Sequence, residues 1–150
     1  AHIIVAAELS NNAADAPQLV PMLQAVKANT GELARQGLAD AGYRSEDNFE
    51  QIAGLPIELV VALGREGKQQ AQMDAQRNPR TAEMAAKLQT DEGKTAYRRR
   101  KWIAEPPNGW IKSVLGFRQF SLRGLHRVQA EFKLVCLALN LRRMGAMQAA

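Results

Sequence analysis

Cysteine is nearly absent from this sequence, and so are long apolar runs. The one cysteine, Cys136, has no partner for a disulfide within the chain, which excludes the disulfide-stabilised scaffold of a small secreted protein. Neither His2 nor His126 stands at a metal-ligand spacing from Cys136, so we expect no zinc site. No apolar run reaches the roughly 20 residues of a membrane-spanning helix, and no signal-peptide pattern is present. The sequence predicts an intracellular protein without a membrane partner.

Acidic residues are almost missing from one part of the chain. Between positions 94 and 127 the only acid is Glu105, and the same stretch holds nine basic residues: Lys94, Arg98, Arg99, Arg100, Lys101, Lys112, Arg118, Arg123 and Arg127. The whole chain carries a net charge of +5 and has a pI near 9.7. Clustered positive charge neutralises several phosphates at once. The charge pattern therefore predicts an anionic partner, with nucleic acid as the first choice.

The remaining composition is that of a folded domain. The chain has 150 residues, 46% of them hydrophobic, which is enough for one buried core. Short runs of apolar or β-branched residues predict three strands: residues 2–9, a strand that ends at Asp40, and one within 56–64. Helical patterns separate them, so we predict an α/β fold with at least partly parallel strands. The predicted organisation is a partial α/β core over 1–63, a polar insertion or loop over 64–80, and a helical part over 81–150.

The last helix of the chain is predicted to be buried. A helix that is apolar around most of its circumference packs against the rest of its domain. We expect Cys136, within this helix, to be a small buried hydrophobe. The apolar stripe consists of Leu125, Val128, Phe132, Val135, Cys136 and Leu139, and Leu134, Leu137 and Leu141 lie beside it.

Two acids, Asp40 and Glu105, are candidates for metal-dependent chemistry. Asp40 stands at the predicted carboxyl end of a strand, where α/β proteins collect functional side chains. Carboxylates from different elements hold Mg²⁺ together with phosphate oxygens and water, and two such ions clamp a phosphodiester. Two structural alternatives stay open: Asp40 belongs to a turn before Gly42, or Glu105 forms ion pairs with nearby cations. Those cations are Arg98, Lys101 and Lys112.

The residues that follow Glu105 give conflicting signals. Lys112 lies seven residues later, which is two turns along the same face of a continuous helix, so it is a candidate for holding a phosphate. Pro106 and Pro107 forbid a regular helix through this point, although both fit the first turn of a helix that begins at Glu105.

Other conspicuous side chains are assigned structural roles. Trp102 and Trp110 are expected to anchor helix packing, and stacking on an unpaired base is the alternative. The acids Asp15, Glu46 and Asp47 are expected to cap helices or to lie on the surface.

Several stretches, taken in order, resemble a known family. The run LADAGYRSEDN is followed much later by YRRRKWIAEPPNGWIKSVLGFRQFSLRG, and the chain closes with a helix that ends in ALNLRRM. Together with the opening IIVAAELSNNAADAPQLVPML, they resemble bacterial insertion-sequence transposases of the DDE type. The resemblance covers nearly the whole chain, the polar insertion least. It implies a ribonuclease-H-like fold and two-metal phosphodiester chemistry: nicking at the ends of the element, then strand transfer into target DNA.

The resemblance assigns the metal site. Asp40, in ADAGY, matches the family's second catalytic aspartate, and Glu105, in EPPNGWIK, matches the catalytic glutamate; both would bind Mg²⁺ or Mn²⁺. Lys112 matches the lysine found seven residues after that glutamate. Pro107 and Asn108 stand where relatives often have an apolar pair.

The resemblance also implies contacts to DNA. Many relatives place a tyrosine and an arginine seven and four residues before the glutamate, and these positions are Arg98 and Lys101 here. Tyr97 and Arg100 are each one residue early. The implied DNA-binding residues are Arg98, Arg99, Arg100, Lys101, Lys112, Arg118 and Arg123.

The family's first catalytic aspartate lies on a strand upstream of residues 2–9, and nothing in these 150 residues occupies that place. We therefore expect an incomplete ribonuclease-H-like fold, with about three strands, flanking helices and a helical C-terminal third, and little or no DNA cleavage by the chain alone. The implied partners are the element ends and target DNA, an N-terminal portion of the same protein, and a second copy in a homodimer. The implied location is the bacterial cytoplasm, at the nucleoid when bound to DNA. The alternative is a non-catalytic basic module or remnant that binds nucleic acid.

Overall fold

The computed structural model describes residues 2–64 and 74–149, which form two compact units. The first, here called the α/β unit, is Ala14–Arg100. The second, the helical unit, takes the residues up to Ala13 together with those from Lys101 onward. The predicted division at 63 and 80 stays a prediction, and most of its polar insertion, residues 65–73, lies outside the described residues.

A parallel strand pair is the centre of the α/β unit. Strand β1 (Gln36–Ala39) pairs with strand β2 (Glu58–Val61), with Gln36 opposite Glu58 and Ala39 opposite Val61. Helix α2 (Glu46–Ile52) lies between them in the chain and makes the crossover that parallel strands require. Both strands and the parallel pairing were predicted from the sequence and are confirmed.

Helix α1 (Leu19–Thr30) precedes the sheet and follows a short 3₁₀ turn at Ala16–Gln18. Pro21 lies in its first turn, where the backbone N–H groups have no partner within the helix, so proline is tolerated there. The helix ends at Gly31, whose φ of 88° is left-handed, and the Gly31 N–H bonds to the carbonyl of Lys27 at 2.8 Å. The helix therefore begins near Gln18 and Pro21 does not interrupt it.

The core of the α/β unit collects apolar side chains from β2 and three helices. Helix α3 (Pro79–Gln89) contributes Met84 to it. Lys87 of α3 donates to the Leu59 carbonyl at 3.0 Å, so a side chain satisfies part of the outer edge of β2. The buried cluster is Leu19, Phe49, Ile52, Leu59, Val61, Leu63 and Met84.

A long helix and a π-helical segment follow. Helix α4 (Asp91–Gly109) starts after Thr90, whose hydroxyl oxygen accepts from the Gly93 N–H at 3.0 Å as an N-cap does. It leads into a π-helical segment, Trp110–Val114. Helix α5 (Leu125–Gln148) closes the helical unit. The prediction that the chain after Thr81 is largely helical is confirmed.

The prediction of a strand over residues 2–9 is wrong, because these residues do not form a strand in this structure. The segment instead lies along α5, and side-chain amides take the place of a neighbouring strand. Asn140 accepts from the Ile4 N–H at 2.8 Å and donates to the Ile4 carbonyl at 2.7 Å. Gln129 accepts from the Leu9 N–H at 2.6 Å and donates to the carbonyl of Ala7 at 2.8 Å. A β-rich sequence becomes a strand only where another strand can supply a hydrogen-bond ladder.

The expected burial of α5 is only partly correct. Cys136 and Leu139 are buried, but Leu134, Leu137 and Leu141 are 66%, 51% and 60% exposed. The apolar positions surround the helix, whereas the helical unit covers only part of its circumference. No helix in the described part of the chain is both long enough and apolar enough to cross a membrane.

Candidate active site: two carboxylates and a basic helix

Asp40 lies at the carboxyl end of β1 and begins a tight turn. Its Oδ1 accepts from the Gly42 N–H at 3.0 Å, and its carbonyl accepts from the Tyr43 N–H at 3.3 Å. This is the turn chemistry typical of aspartate. The side chain stays exposed, so the turn holds the carboxylate in place without covering it. The turn role and a ligand role, predicted as alternatives, are compatible here.

A second carboxylate, that of Asp15, lies over the same turn. A Cβ at Gly42 would stand 2.5 Å from Asp15 Oδ2 and 3.2 Å from Asp40 Oδ1, so the two carboxylates share the space beside the glycine. Burial raises the pKa of the neighbouring Tyr43, and the negative charges of Asp15 and Asp40 raise it further. Asp15 precedes the 3₁₀ turn and its side chain makes no capping hydrogen bond but is exposed, so of the two predicted roles, cap or surface residue, the second is confirmed. Nothing in the sequence pattern indicated this meeting with Asp40.

Glu105 lies on α4, and its side chain is exposed. The helix continues through Pro106 and Pro107, against the expectation that they interrupt it or start a new helix. The prolines lack the N–H groups that would bond to the carbonyls four residues earlier. Asn108 supplies a local side-chain donor, to the carbonyl of Ala104 at 3.2 Å. Within residues 2–64 and 74–149, no ion pair joins Glu105 to Arg98 or Lys112, two of the cations named as alternatives.

Lys112 lies in the π-helical segment, where the Leu115 N–H bonds to the Trp110 carbonyl at 3.0 Å. The predicted spacing of two turns from Glu105 assumed α-helical geometry throughout. A π-turn closes five residues apart, so the face that carries Lys112 is shifted from that prediction. The segment ends at Val114, and Gly116, two residues later, has a left-handed φ of 69°. Lys112 itself is exposed.

The predicted DNA-binding cations are nearly all on the surface. Arg100 is the exception: it is half-buried, its guanidinium lies 5.3 Å from the Tyr97 ring centre, and its Nε is buried without a hydrogen-bond partner among the described residues. The exposed cations are Arg98, Arg99, Lys101, Lys112, Arg118 and Arg123.

Residues 1–141 match the family model of the transposase DDE domain. The chain belongs to this family. Nothing among curated proteins or solved structures matches the chain. Membership makes DNA the expected substrate and divalent-metal-dependent strand cleavage and transfer the expected chemistry.

Asp40 offers the ligand chemistry that a DDE transposase needs for its metal. Carboxylate oxygens are hard donors suited to Mg²⁺ or Mn²⁺, and the turn leaves this carboxylate accessible. In the described part of the chain, no three His, Cys, Asp or Glu side chains come together as a ligand group. Asp40 belongs to the α/β unit and Glu105 to the helical unit, so their convergence in this transposase domain stays a prediction.

The two tryptophans of the DDE domain differ from each other. Trp110 is half-buried, with the Arg142 guanidinium 4.2 Å and that of Arg143 5.8 Å from its ring centre, which confirms its role as a packing anchor on α5. Trp102 is 76% exposed, so the same prediction is wrong for it. Cys136 is buried, and burial raises the pKa of its thiol, as a small core hydrophobe requires.

Proposed function

We propose that this chain contributes to metal-dependent DNA strand cleavage and strand transfer in the transposition of an insertion sequence, with Asp40 and Glu105 as metal-binding carboxylates. The match to the transposase DDE domain over residues 1–141 carries the proposal. The exposed carboxylate of Asp40 at the end of β1 supports it. So does Glu105, the one acid among the cations of residues 94–127.

The carboxylates and the cations have separate tasks in this proposal. Asp40 and Glu105 would hold Mg²⁺ or Mn²⁺ through their oxygens, and Asp40 is pre-oriented by its bond from the Gly42 N–H. When bound, the metal ion supplies positive charge that stabilises the attacked phosphate. Exposed cations of α4, among them Arg98 and Arg99, would neutralise the phosphates of the DNA backbone and position the strand.

The fold offers further support for a ribonuclease-H-like domain. A parallel strand pair with a helical crossover carries an acid at the carboxyl end of one strand. We propose that β1 and β2 belong to such a sheet and that the free edge of β1 accepts a further strand, because a parallel pair alone is too small to be stable.

The test measures Mn²⁺ binding by electron paramagnetic resonance in the chain and in the variants Asp40→Asn and Glu105→Gln. Each variant should bind Mn²⁺ at least about tenfold more weakly, because it loses a ligand. Asp47→Asn and Glu92→Gln are the matched controls, since both remove an exposed acid in the first turn of a helix. Strand cleavage, assayed with a segment that supplies the family's first aspartate joined to the chain, should require both carboxylates.

A non-catalytic DNA-binding module is the second candidate, favoured by the many exposed cations of α4 and the following loop. It predicts DNA binding that weakens steeply with salt and stays unchanged, or becomes slightly tighter, in Asp40→Asn and Glu105→Gln. Unchanged Mn²⁺ binding and no dependence of cleavage on these carboxylates would favour this candidate and reject the first.

A further inference from the structure

We infer that Asn48 is a positioning residue for the Asp40 carboxylate, an inference that rests on the proposed metal-binding role of Asp40. Asn48 lies in the first turn of α2, three residues after Ser45, and is only 6% exposed. Burying a side-chain amide costs free energy of folding unless its polar atoms form hydrogen bonds.

Both donors of the Asn48 amide are used, and they bind two different turns. Asn48 Nδ2 donates to the carbonyl of Tyr43 at 3.1 Å and to the carbonyl of Ala16 at 2.7 Å. Tyr43 ends the turn that Asp40 begins. Ala16 directly follows Asp15. One buried side chain therefore clamps the turn that carries Asp40 to the turn that carries Asp15.

The clamp fixes how closely the two turns approach. Asp15 Oδ2 would stand 2.5 Å from a Cβ at Gly42, so a side chain at that position would displace the Asp15 carboxylate. The Gly42 N–H in turn holds Asp40 Oδ1 at 3.0 Å. Asn48 thus acts on Asp40 through backbone groups alone, without contact to a metal or to DNA, in the way that outer residues orient metal ligands elsewhere.

We expect loss of these two hydrogen bonds to weaken metal binding more than it destabilises the fold. In Asn48→Ala the two carbonyls lose their donor, and the Asp40 turn gains freedom to leave its orientation. Outer residues that orient a metal ligand are typically worth about 10–100-fold in metal affinity. We expect Asn48→Ala to bind Mn²⁺ about tenfold more weakly than the parent chain.

The experiment compares Mn²⁺ affinity with thermal stability, each measured on the 150-residue chain. Glu46→Gln is the control for destabilisation, because Glu46 lies two residues before Asn48 on the same helix and bonds instead to the start of α3. It should lower the melting temperature and leave Mn²⁺ affinity unchanged in the folded protein. Parent-like Mn²⁺ affinity in Asn48→Ala, or an equal loss in Glu46→Gln, would overturn the inference.

A glycine pair keeps the test valid if Asn48→Ala does not fold. Gly42→Ala places a methyl group against Asp15 and should weaken Mn²⁺ binding, whereas Gly54→Ala meets nothing within 4 Å and should not. Equal Mn²⁺ affinity in these two variants would also reject the inference. Asp40→Asn distinguishes failure of the proposed function from failure of the role of Asn48. If Asp40→Asn binds Mn²⁺ like the parent chain, the proposed function is wrong. If Asp40→Asn weakens Mn²⁺ binding but the Asn48 and Gly42 variants do not, only the role of Asn48 is wrong.

Discussion

The α/β unit and the helical unit bury their apolar side chains to different degrees. In the α/β unit, seven buried side chains from β2, its flanking residues and three helices form one cluster. In the described part of the helical unit, the buried apolar side chains are Ile111, Cys136 and Leu139, while Leu134 remains 66% exposed. The unit with the connected core is the one that holds its candidate ligand in a tied turn.

The two candidate carboxylates follow the same contrast. Asp40 is restrained by the Gly42 N–H, and its turn is tied by a buried asparagine to a neighbouring turn. Glu105 stands on the exposed side of α4, and Pro106 and Pro107 remove helix hydrogen bonds directly after it. One half of the proposed metal site is therefore preorganised by its own unit. The other half rests on Glu105, which lies in a stretch of α4, residues 101–105, where every residue is exposed.

The largest expected difference between the units is in core stability. Phe49→Ala should lower the free energy of unfolding by about 3–5 kcal/mol, because Phe49 is 5% exposed within the cluster of the α/β unit. Leu134→Ala should change it by less than about 0.5 kcal/mol. Urea unfolding followed by circular dichroism measures both values. Similar losses of unfolding free energy in the two variants would show that the two units are packed alike and would contradict the contrast between them.

A smaller difference in stability is expected between the variants of two carboxylates, Glu46 and Glu131. Each carboxylate bonds to another segment of its own unit. Glu46 accepts from the Arg80 N–H at 2.6 Å and from the Thr81 N–H at 2.9 Å. Burial acts to raise the pKa of Glu46, but these bonds and that of the Thr81 hydroxyl outweigh it and hold the pKa below its usual value. Glu46→Gln should therefore cost about 1–2 kcal/mol at pH 7.

The sign of the pH dependence follows from the lowered pKa of Glu46. Its contribution is complete above the unfolded-state pKa of about 4.3 and is lost as the pH falls through the lower folded-state pKa. Chemical unfolding at pH 7 and pH 3 should show that the parent chain loses more stability between these two pH values than Glu46→Gln does. Glu131 is half-buried like Glu46, but its carboxylate accepts from Ser121 and Leu122 in solvent-exposed hydrogen bonds, so Glu131→Gln should be less destabilising at pH 7. A larger loss in Glu131→Gln would contradict the contrast between the units.

The smallest expected effect concerns the extended segment on α5. Asn140→Leu keeps the size of the side chain but leaves the Ile4 N–H and carbonyl without partners, at a cost of about 1 kcal/mol because the site is partly buried. Hydrogen exchange at Ile4 should accelerate. Lys133→Gln removes only the exposed ion pair with Glu8, 3.0 Å long, and should leave that exchange rate nearly unchanged. Unaltered exchange in Asn140→Leu would show that the amide does not hold the segment.

Local patterns in the sequence were sufficient for much of the fold and for part of the site. The apolar strand before Asp40, the turn residues after it and the left-handed Gly31 at the end of α1 all act within a few residues. Such features depend on backbone preferences and near-neighbour hydrogen bonds, so a single sequence predicts them. The concentration of cations around Glu105 is likewise a property of the chain order alone, and most of those cations are indeed exposed.

Tertiary structure decided the features that need a distant partner. Residues 2–9 have the composition of a strand, but Asn140 and Gln129 supply their hydrogen bonds in place of a neighbouring strand. Asp15 meets Asp40 across 25 positions of the chain, since Asn48 ties their turns together. The leucines of α5 have equal hydrophobicity whether covered or not, and only packing determined which of them is buried. Local conformations and the distribution of charge follow from the sequence alone, because they depend on residues that are neighbours along the chain. Burial and the meeting of Asp15 with Asp40 depend on contacts between distant residues, which form only when the chain folds.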